Sequence, residues 1–260
     1  MFYAETKNMT FDVITYNGEK ELFEIRYNTL KDFVDEFIVV EFDKTFSGKP
    51  KTCSFQDAKL HLLPKVKYCF NDLNIWLKYK ELAESSPNTK GAEHWKLEFM
   101  QKESIKDCLT HLKDDDLVFI GDCDEIWNEF ALSLKGVYKL RLKVYTYYLN
   151  NRSSEEFWGT LVAPYKKIKS ECLNHLRTRA KKTYEDYGWH FTSMASDLKR
   201  KLEDSYTGDS YASLYVMEHL EDNIKNNRDF LGRNFTYWPE EGNWPKYLTD
   251  NRQKYKHLLK

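Results

Sequence analysis

The sequence predicts an α/β fold with a mainly parallel central sheet flanked by helices. Short β-prone apolar runs, Phe11–Tyr16, Phe37–Glu41 and Leu117–Ile120, are separated by stretches of helical periodicity. Each run stops abruptly at a polar or acidic residue: Asn17, Glu41 and Asp122. A chain of 260 residues, 41% of them hydrophobic, also has enough apolar surface for a substantial core. Strands alternating with helices build parallel sheets, and such sheets bind ligands beyond the carboxyl ends of their strands.

The elements follow in order. Phe11–Tyr16 is the first strand, broken by Asn17-Gly18. A helix follows over about Glu19–Phe33, where Leu22, Phe23, Tyr27, Leu30, Phe33 and Val34 share one arc at about 100° per residue. Glu19 and Arg26 fall inside that arc, and charge on an apolar face is the informative exception. Phe37–Glu41 is a second buried strand that ends in a carboxylate. Thr45–Lys51 carries turn residues and reads as a loop. Val66–Phe70 is a third strand, Ser85–Gly91 an irregular surface loop, and a long helix spans Ala92 to about Leu112. Leu117–Ile120 is the next buried strand. Val137–Tyr148 alternates, with Leu140, Leu142 and Val144 opposite Arg141, Lys143 and Tyr145, as a half-buried strand should. The C-terminal third is more polar, with helical patches over Ser213–Asn226 and Asp250–Leu259.

A net charge of −1 argues against broad attraction to nucleic acid or to an anionic membrane. The 18 tyrosines raise the aromatic content to 16%, which serves either an aromatic core or stacking on sugar faces. Five cysteines, Cys53, Cys69, Cys108, Cys123 and Cys172, give an odd count without Cys-x-x-Cys spacing. Neither a zinc site nor a disulfide framework is expected, and a reducing compartment is the simplest inference. Met1–Thr10 lacks the apolar run of a signal peptide, and no segment is long enough to span a bilayer, so a soluble, cytoplasmic protein is expected.

The chemistry concentrates where Leu117–Ile120 runs into Gly121-Asp122-Cys123-Asp124-Glu125. Side chains alternate along a strand, so extended geometry carried through this stretch puts Asp122 and Asp124 on one side. Two acids at the mouth of a buried strand need a cation between them. Mn²⁺ or Mg²⁺ holding a diphosphate fits that need, since hard cations take carboxylate oxygens. The bland alternative is a strand-to-helix turn whose acids favour a helix N-terminus. On the helix that follows Ala92, Glu98 and Lys102 form an i,i+4 pair within the apolar face. They are either a buried ion pair or a pair facing a cleft, with Lys102 near an anion. Gly188-Trp189-His190-Phe191 reads as a tight aromatic-lined turn whose His190 serves as a metal ligand or a phosphate donor.

Taken together, these segments resemble glycosyltransferase family 17, the β-1,4-N-acetylglucosaminyltransferases that add a bisecting GlcNAc to N-glycans, with bacterial and viral relatives. The likeness is carried by Tyr16-Asn17-Gly18-Glu19, Leu22, Glu24-Ile25-Arg26-Tyr27-Asn28, Val39-Val40-Glu41, Thr45–Lys51, Gly121–Ile126 and Gly188–Phe191, in that order. It implies one GT-A-like nucleotide-sugar-binding domain over residues 1–260. About 1–130 would form the nucleotide-sugar half and about 131–260 the acceptor-side half. It further implies a UDP-sugar donor such as UDP-GlcNAc, a glycan or other hydroxyl acceptor, inversion at the anomeric carbon, and a divalent metal at Asp122 and Asp124 with His190. Asn17, Glu19, Arg26, Glu41, Thr45, Lys49, Lys102 and Asp122 would lie near the donor. Glu125 and Glu98 are the candidate general bases, with Asp197 a third. Lys102 stands where relatives carry arginine, and Lys201–Tyr206 replaces a Ser-Phe-Ser-His-like stretch. A metal-dependent phosphohydrolase or nucleotidyltransferase and a non-catalytic carbohydrate-binding protein are the alternatives.

Overall fold

A computed structural model describes residues 8–90, 93–205 and 214–260. Met1–Lys7 of the N-terminal segment lie outside the described residues, as do Gly91, Ala92, Tyr206 and Ser213, which bound predicted segments. The strands are β1 (Thr10–Thr15), β2 (Glu36–Phe42), β3 (Val66–Asn71), β4 (Leu117–Asp122), β5 (Glu125–Trp127), β6 (Tyr138–Thr146), β7 (Asn151–Pro164), β8 (Lys181–Thr192) and β9 (Tyr237–Pro239). They join in one sheet of order β3-β2-β1-β4-β7-β6-β8-β5, with β9 on β7.

The half formed by β3, β2, β1 and β4 is parallel, as expected. The sheet as a whole is mixed, which corrects the mainly parallel expectation. β7 pairs antiparallel with both β4 and β6, because the short 147–150 connection allows β6 and β7 only a hairpin. The polar first half of β7 and the charge-rich β8 carry no apolar run, so neither strand is visible in the hydrophobic pattern.

Period-two alternation builds a core on each face of the parallel half. Ile14, Val39 and Phe119 pack with Phe23 and Phe37 of one core, whereas Val13, Ile38, Val118 and Ile120 join Leu109 in the other. Four helices position the site: α1 (Lys20–Leu30), α2 (Ser54–Asp57), α3 (Glu93–Ser104) and α4 (Leu198–Ser205). The long helix predicted to reach Leu112 tightens into a 3₁₀ turn over Ile105–Leu109. A helix over Leu214–Lys225 matches its predicted patch, while the final one resolves into Lys246–Asp250, turns and a 3₁₀ turn at Lys256–Leu258.

Two further expectations are corrected. Cys69 on β3 is disulfide-bonded to Cys108 in the 3₁₀ turn, so the chain does carry a disulfide. Their 39-residue separation contains no motif that reveals the pairing. Gly188–Phe191 is not a turn but part of β8, pairing with β5. Gly188 has φ +146°, and a Cβ there would lie 2.1 Å from the Ile126 carbonyl oxygen, which explains the glycine. Among the described residues no helix is long and apolar enough to cross a membrane.

Candidate active-site cleft

The central parallel strands end together, and a cleft opens beyond their carboxyl ends. Thr15, Tyr16 and Asn17 reach it from β1, Phe42 and Thr45 from β2, Asp122 from β4, and Asp124 from the turn before β5. Glu19, Lys51 and Gln101 complete one wall, while Lys201 and Asp204 of α4 form the other.

The backbone leaves the strand at Asp122, so Asp122 and Asp124 do not continue one extended run. Asp122 accepts a hydrogen bond from Thr15 Oγ1 at 2.6 Å, and its other oxygen lies 3.8 Å from Lys102 Nζ. Asp124 is buried, with Lys201 Nζ 2.8 Å from Oδ2 and His190 Nε2 3.5 Å from Oδ1. Burial works to raise the Asp124 pKa, but the Lys201 ammonium and His190 outweigh it and hold the carboxyl well below the usual range. Burial likewise works to lower the His190 pKa, and Asp124 followed by Glu125 overcomes it, leaving the imidazole with a raised value. The ring is stacked 4.0 Å from Phe157, which fixes its plane.

The other predicted donor residues divide. Asn17 lines the cleft and its N–H donates to Glu19 Oε2 at 2.7 Å; burial first and Asp124 second push the Glu19 carboxyl upward. Thr45 also lines the cleft. Lys49 instead turns its ammonium to the Glu203 carbonyl, 2.7 Å away. Arg26 and Glu41 do not line the cleft, and each is engaged beneath it. Arg26 is fully buried, paired with Asp12, and donates to the carbonyls of Asp122 and Glu125. Glu41 accepts from the Ser54 and Phe55 N–H groups and from Tyr68 Oη, holding α2 in place. These charges fell on apolar faces because each meets a buried partner.

A second cavity, about 330 Å³, lies against the first, and Lys201 lines both. Glu98, Trp95, Phe157, His190 and Phe230 also face it. Glu98 is 2.6 Å from Lys102 Nζ, which joins it to Asp122. Glu125, by contrast, is enclosed: Thr160 Oγ1 donates to it at 3.0 Å, and a Cβ on either Gly121 or Gly159 would lie 2.6 Å from its carboxyl group. Asp197 is held by Arg200 through two 2.6 Å bonds.

A divalent cation needs several oxygens turned toward one open point. Here both Asp124 oxygens face Lys201 or His190, and both Asp122 oxygens face Thr15 or Lys102. Among the described residues no three His, Cys, Asp or Glu side chains gather around a common point. With these oxygens engaged by the chain's own cations and hydroxyl, the donor set does not fit Mn²⁺ or Mg²⁺ in this arrangement.

Lys44, Lys51, Lys201 and Asp204 are charged groups of the cleft that were not named as site residues from the sequence. Lys51 donates to the Tyr16 carbonyl at 3.0 Å, and burial lowers its pKa despite Glu41. It ends the Thr45–Lys51 loop that the family resemblance sets near the donor, although Lys51 itself was not named as a site residue. Lys201 is one basic residue in a basic stretch, 77 positions from its partner, and no local pattern signals the contact. The family model described as glycosyltransferase family 17 matches residues 2–206. A search of curated proteins found no significant match.

Proposed function

This chain belongs to glycosyltransferase family 17, and from that premise we propose that it transfers a sugar, GlcNAc, from UDP-GlcNAc to a glycan hydroxyl with inversion. The parallel half of the sheet is read as the nucleotide-sugar side of a GT-A-type fold, and the cavity beyond Lys201 as the acceptor side. The observation that carries the reading is the meeting of Asp122, Asp124, Lys51 and Lys201 in one cleft at the carboxyl ends of the parallel strands. Carboxylates there suit the hydroxyls of a ribose or sugar, and ammonium groups suit a diphosphate.

In this mechanism the acceptor oxygen attacks the anomeric carbon from the face opposite UDP. The bond from that carbon to the acceptor oxygen forms as its bond to the diphosphate oxygen breaks. The electron pair leaves on UDP, where lysine ammonium groups stabilise the developing charge. The acceptor proton passes to a carboxylate. Glu98 is the better base, since it faces the acceptor-side cavity whereas Glu125 is sealed between Gly121, Gly159 and Thr160.

Incubation with UDP-GlcNAc and a panel of N-glycan and other oligosaccharide acceptors tests the reading, with product mass and UDP release as readouts. A product heavier by one GlcNAc residue is expected. Cleavage of nucleotides without sugar transfer would support a phosphohydrolase instead, and glycan uptake without turnover a binding protein.

A further inference from the structure

We propose that Lys201 supplies the positive charge that the family likeness assigns to a divalent metal, so that this chain binds the diphosphate of its donor and transfers sugar without one. The inference rests on the transfer reading above and goes beyond it.

Three observations carry it. The ammonium of Lys201 sits 2.8 Å from Asp124 Oδ2, where a metal bound by that carboxylate would have to lie. The Asp124 side chain is 6% exposed and that of Lys201 38%, so a buried carboxylate meets a half-exposed ammonium at the cleft wall. To accept a metal, Asp124 would have to give up Lys201 at Oδ2, while His190 already stands 3.5 Å from Oδ1. Second, the Asp122 oxygens face Thr15 and Lys102, whose ammonium is shared with Glu98, so the two acids are not a single vacant pincer. Third, Lys201 lines both cavities and therefore stands at the boundary between the nucleotide side and the acceptor side, where the glycosidic bond to phosphate breaks. Lys44 and Lys51 line the same nucleotide cleft and add charge toward a diphosphate. As the carbon–oxygen bond to the diphosphate breaks, its electron pair settles on the leaving oxygen opposite these cations, and the acceptor proton goes to a carboxylate.

The test uses the full chain after exhaustive treatment with EDTA. Thermal unfolding is followed with UDP in EDTA and with UDP in Mn²⁺, calorimetry measures Mn²⁺ alone, and sugar transfer is assayed in both conditions. UDP should stabilise the protein equally in EDTA and Mn²⁺, Mn²⁺ alone should give no binding isotherm, and turnover should be unchanged by EDTA. Lys201→Gln should lose the UDP stabilisation and about 100-fold in turnover, whereas Lys201→Arg, which keeps the charge, should retain part of both. UDP stabilisation that appears only with Mn²⁺, or turnover abolished by EDTA and restored by Mn²⁺, would overturn the proposal. So would unimpaired UDP binding in a folded Lys201→Gln variant. Metal-independent UDP binding with no sugar transfer from any donor would sink the transfer reading while leaving the role of Lys201 in diphosphate binding supported.

Discussion

Arg26 grips Asp12 through two parallel hydrogen bonds, Nε to Oδ2 at 2.8 Å and Nη2 to Oδ1 at 2.7 Å, with neither side chain exposed. Trp127 Nε1 donates to the same Asp12 at 2.8 Å, and the guanidinium also reaches the carbonyls that flank the acidic turn. The pair therefore locks α1, β1 and the start of β5 together beneath the cleft. Replacing Arg26 with Met strands a buried carboxylate, and about 3–5 kcal/mol of stability should be lost in urea unfolding. Arg26→Lys should recover little, because an ammonium does not reproduce the planar fork. Wild-type stability in the lysine variant would show that charge alone suffices.

Glu98 and Glu125 make opposite predictions. Glu98→Gln should keep the fold and the KM for the donor while kcat falls about 10²- to 10⁴-fold, as loss of a general base requires. Glu125→Gln alters a carboxyl packed against Thr160, Gly121 and Gly159, and its effect should appear first in the unfolding midpoint. Steady-state kinetics on both variants separates the roles. A kcat collapse confined to Glu125→Gln would reverse the assignment.

The pairing of Asp124 with His190 predicts the pH dependence of stability. His190 has its folded pKa raised above 6.5, so its contribution is complete below 6.5 and is lost as pH rises through the folded value. Asp124 has its folded pKa lowered beneath 3.8, so its contribution is present above 3.8 and is lost as pH falls toward the folded value. Lys201 opposes the His190 shift, and Asp124 with Glu125 sustains it. Unfolding midpoints measured across pH should thus decline above 6.5, and His190→Gln should flatten that decline. An equally steep decline in the variant would assign it to other groups.

How much of this was legible in the sequence depends on the range of the signal. β1, β2 and β4 were visible because burial on both faces demands unbroken apolar runs, and Asp122 and Asp124 because charge after such a run is conspicuous. β7 and β8 were not, since Ser154, Glu156, Tyr184 and Glu185 face solvent and dilute any pattern. Arg26 and Glu41 were correctly singled out as charges in apolar surroundings, but the sequence does not distinguish a buried brace from a ligand contact. The contacts Lys201–Asp124 and Cys69–Cys108 are long-range consequences of the fold, with no local trace.

Gly188 illustrates a local signal that was read as the wrong geometry. Its glycine marks a close backbone approach within a strand, not a turn. Gly188→Ala combines a left-handed φ with a clash against Ile126 and Trp127, so β5 must separate from β8. Backbone strain of about 1–3 kcal/mol is expected in chemical unfolding. UDP binding should weaken as well, because Phe191 N–H holds the Asp124 carbonyl at 2.9 Å across the same pairing. Unchanged stability in the alanine variant would mean that the strands tolerate the shift.

The Cys69–Cys108 bond ties the edge strand β3 to the turn that follows α3, and α3 carries Glu98 to the second cavity and Lys102 to within 3.8 Å of Asp122. Cross-linking residues 39 positions apart removes freedom from the unfolded chain, worth about 4 kcal/mol in the chain-entropy treatment. Cys69→Ser should therefore lower the unfolding midpoint in oxidising buffer and abolish its response to dithiothreitol. The wild-type chain should fall to the same value once reduced. Denatured, unreduced protein should also titrate with three thiols, those of Cys53, Cys123 and Cys172. Five reactive thiols, together with a midpoint that dithiothreitol does not move, would show that the chain exists as the dithiol.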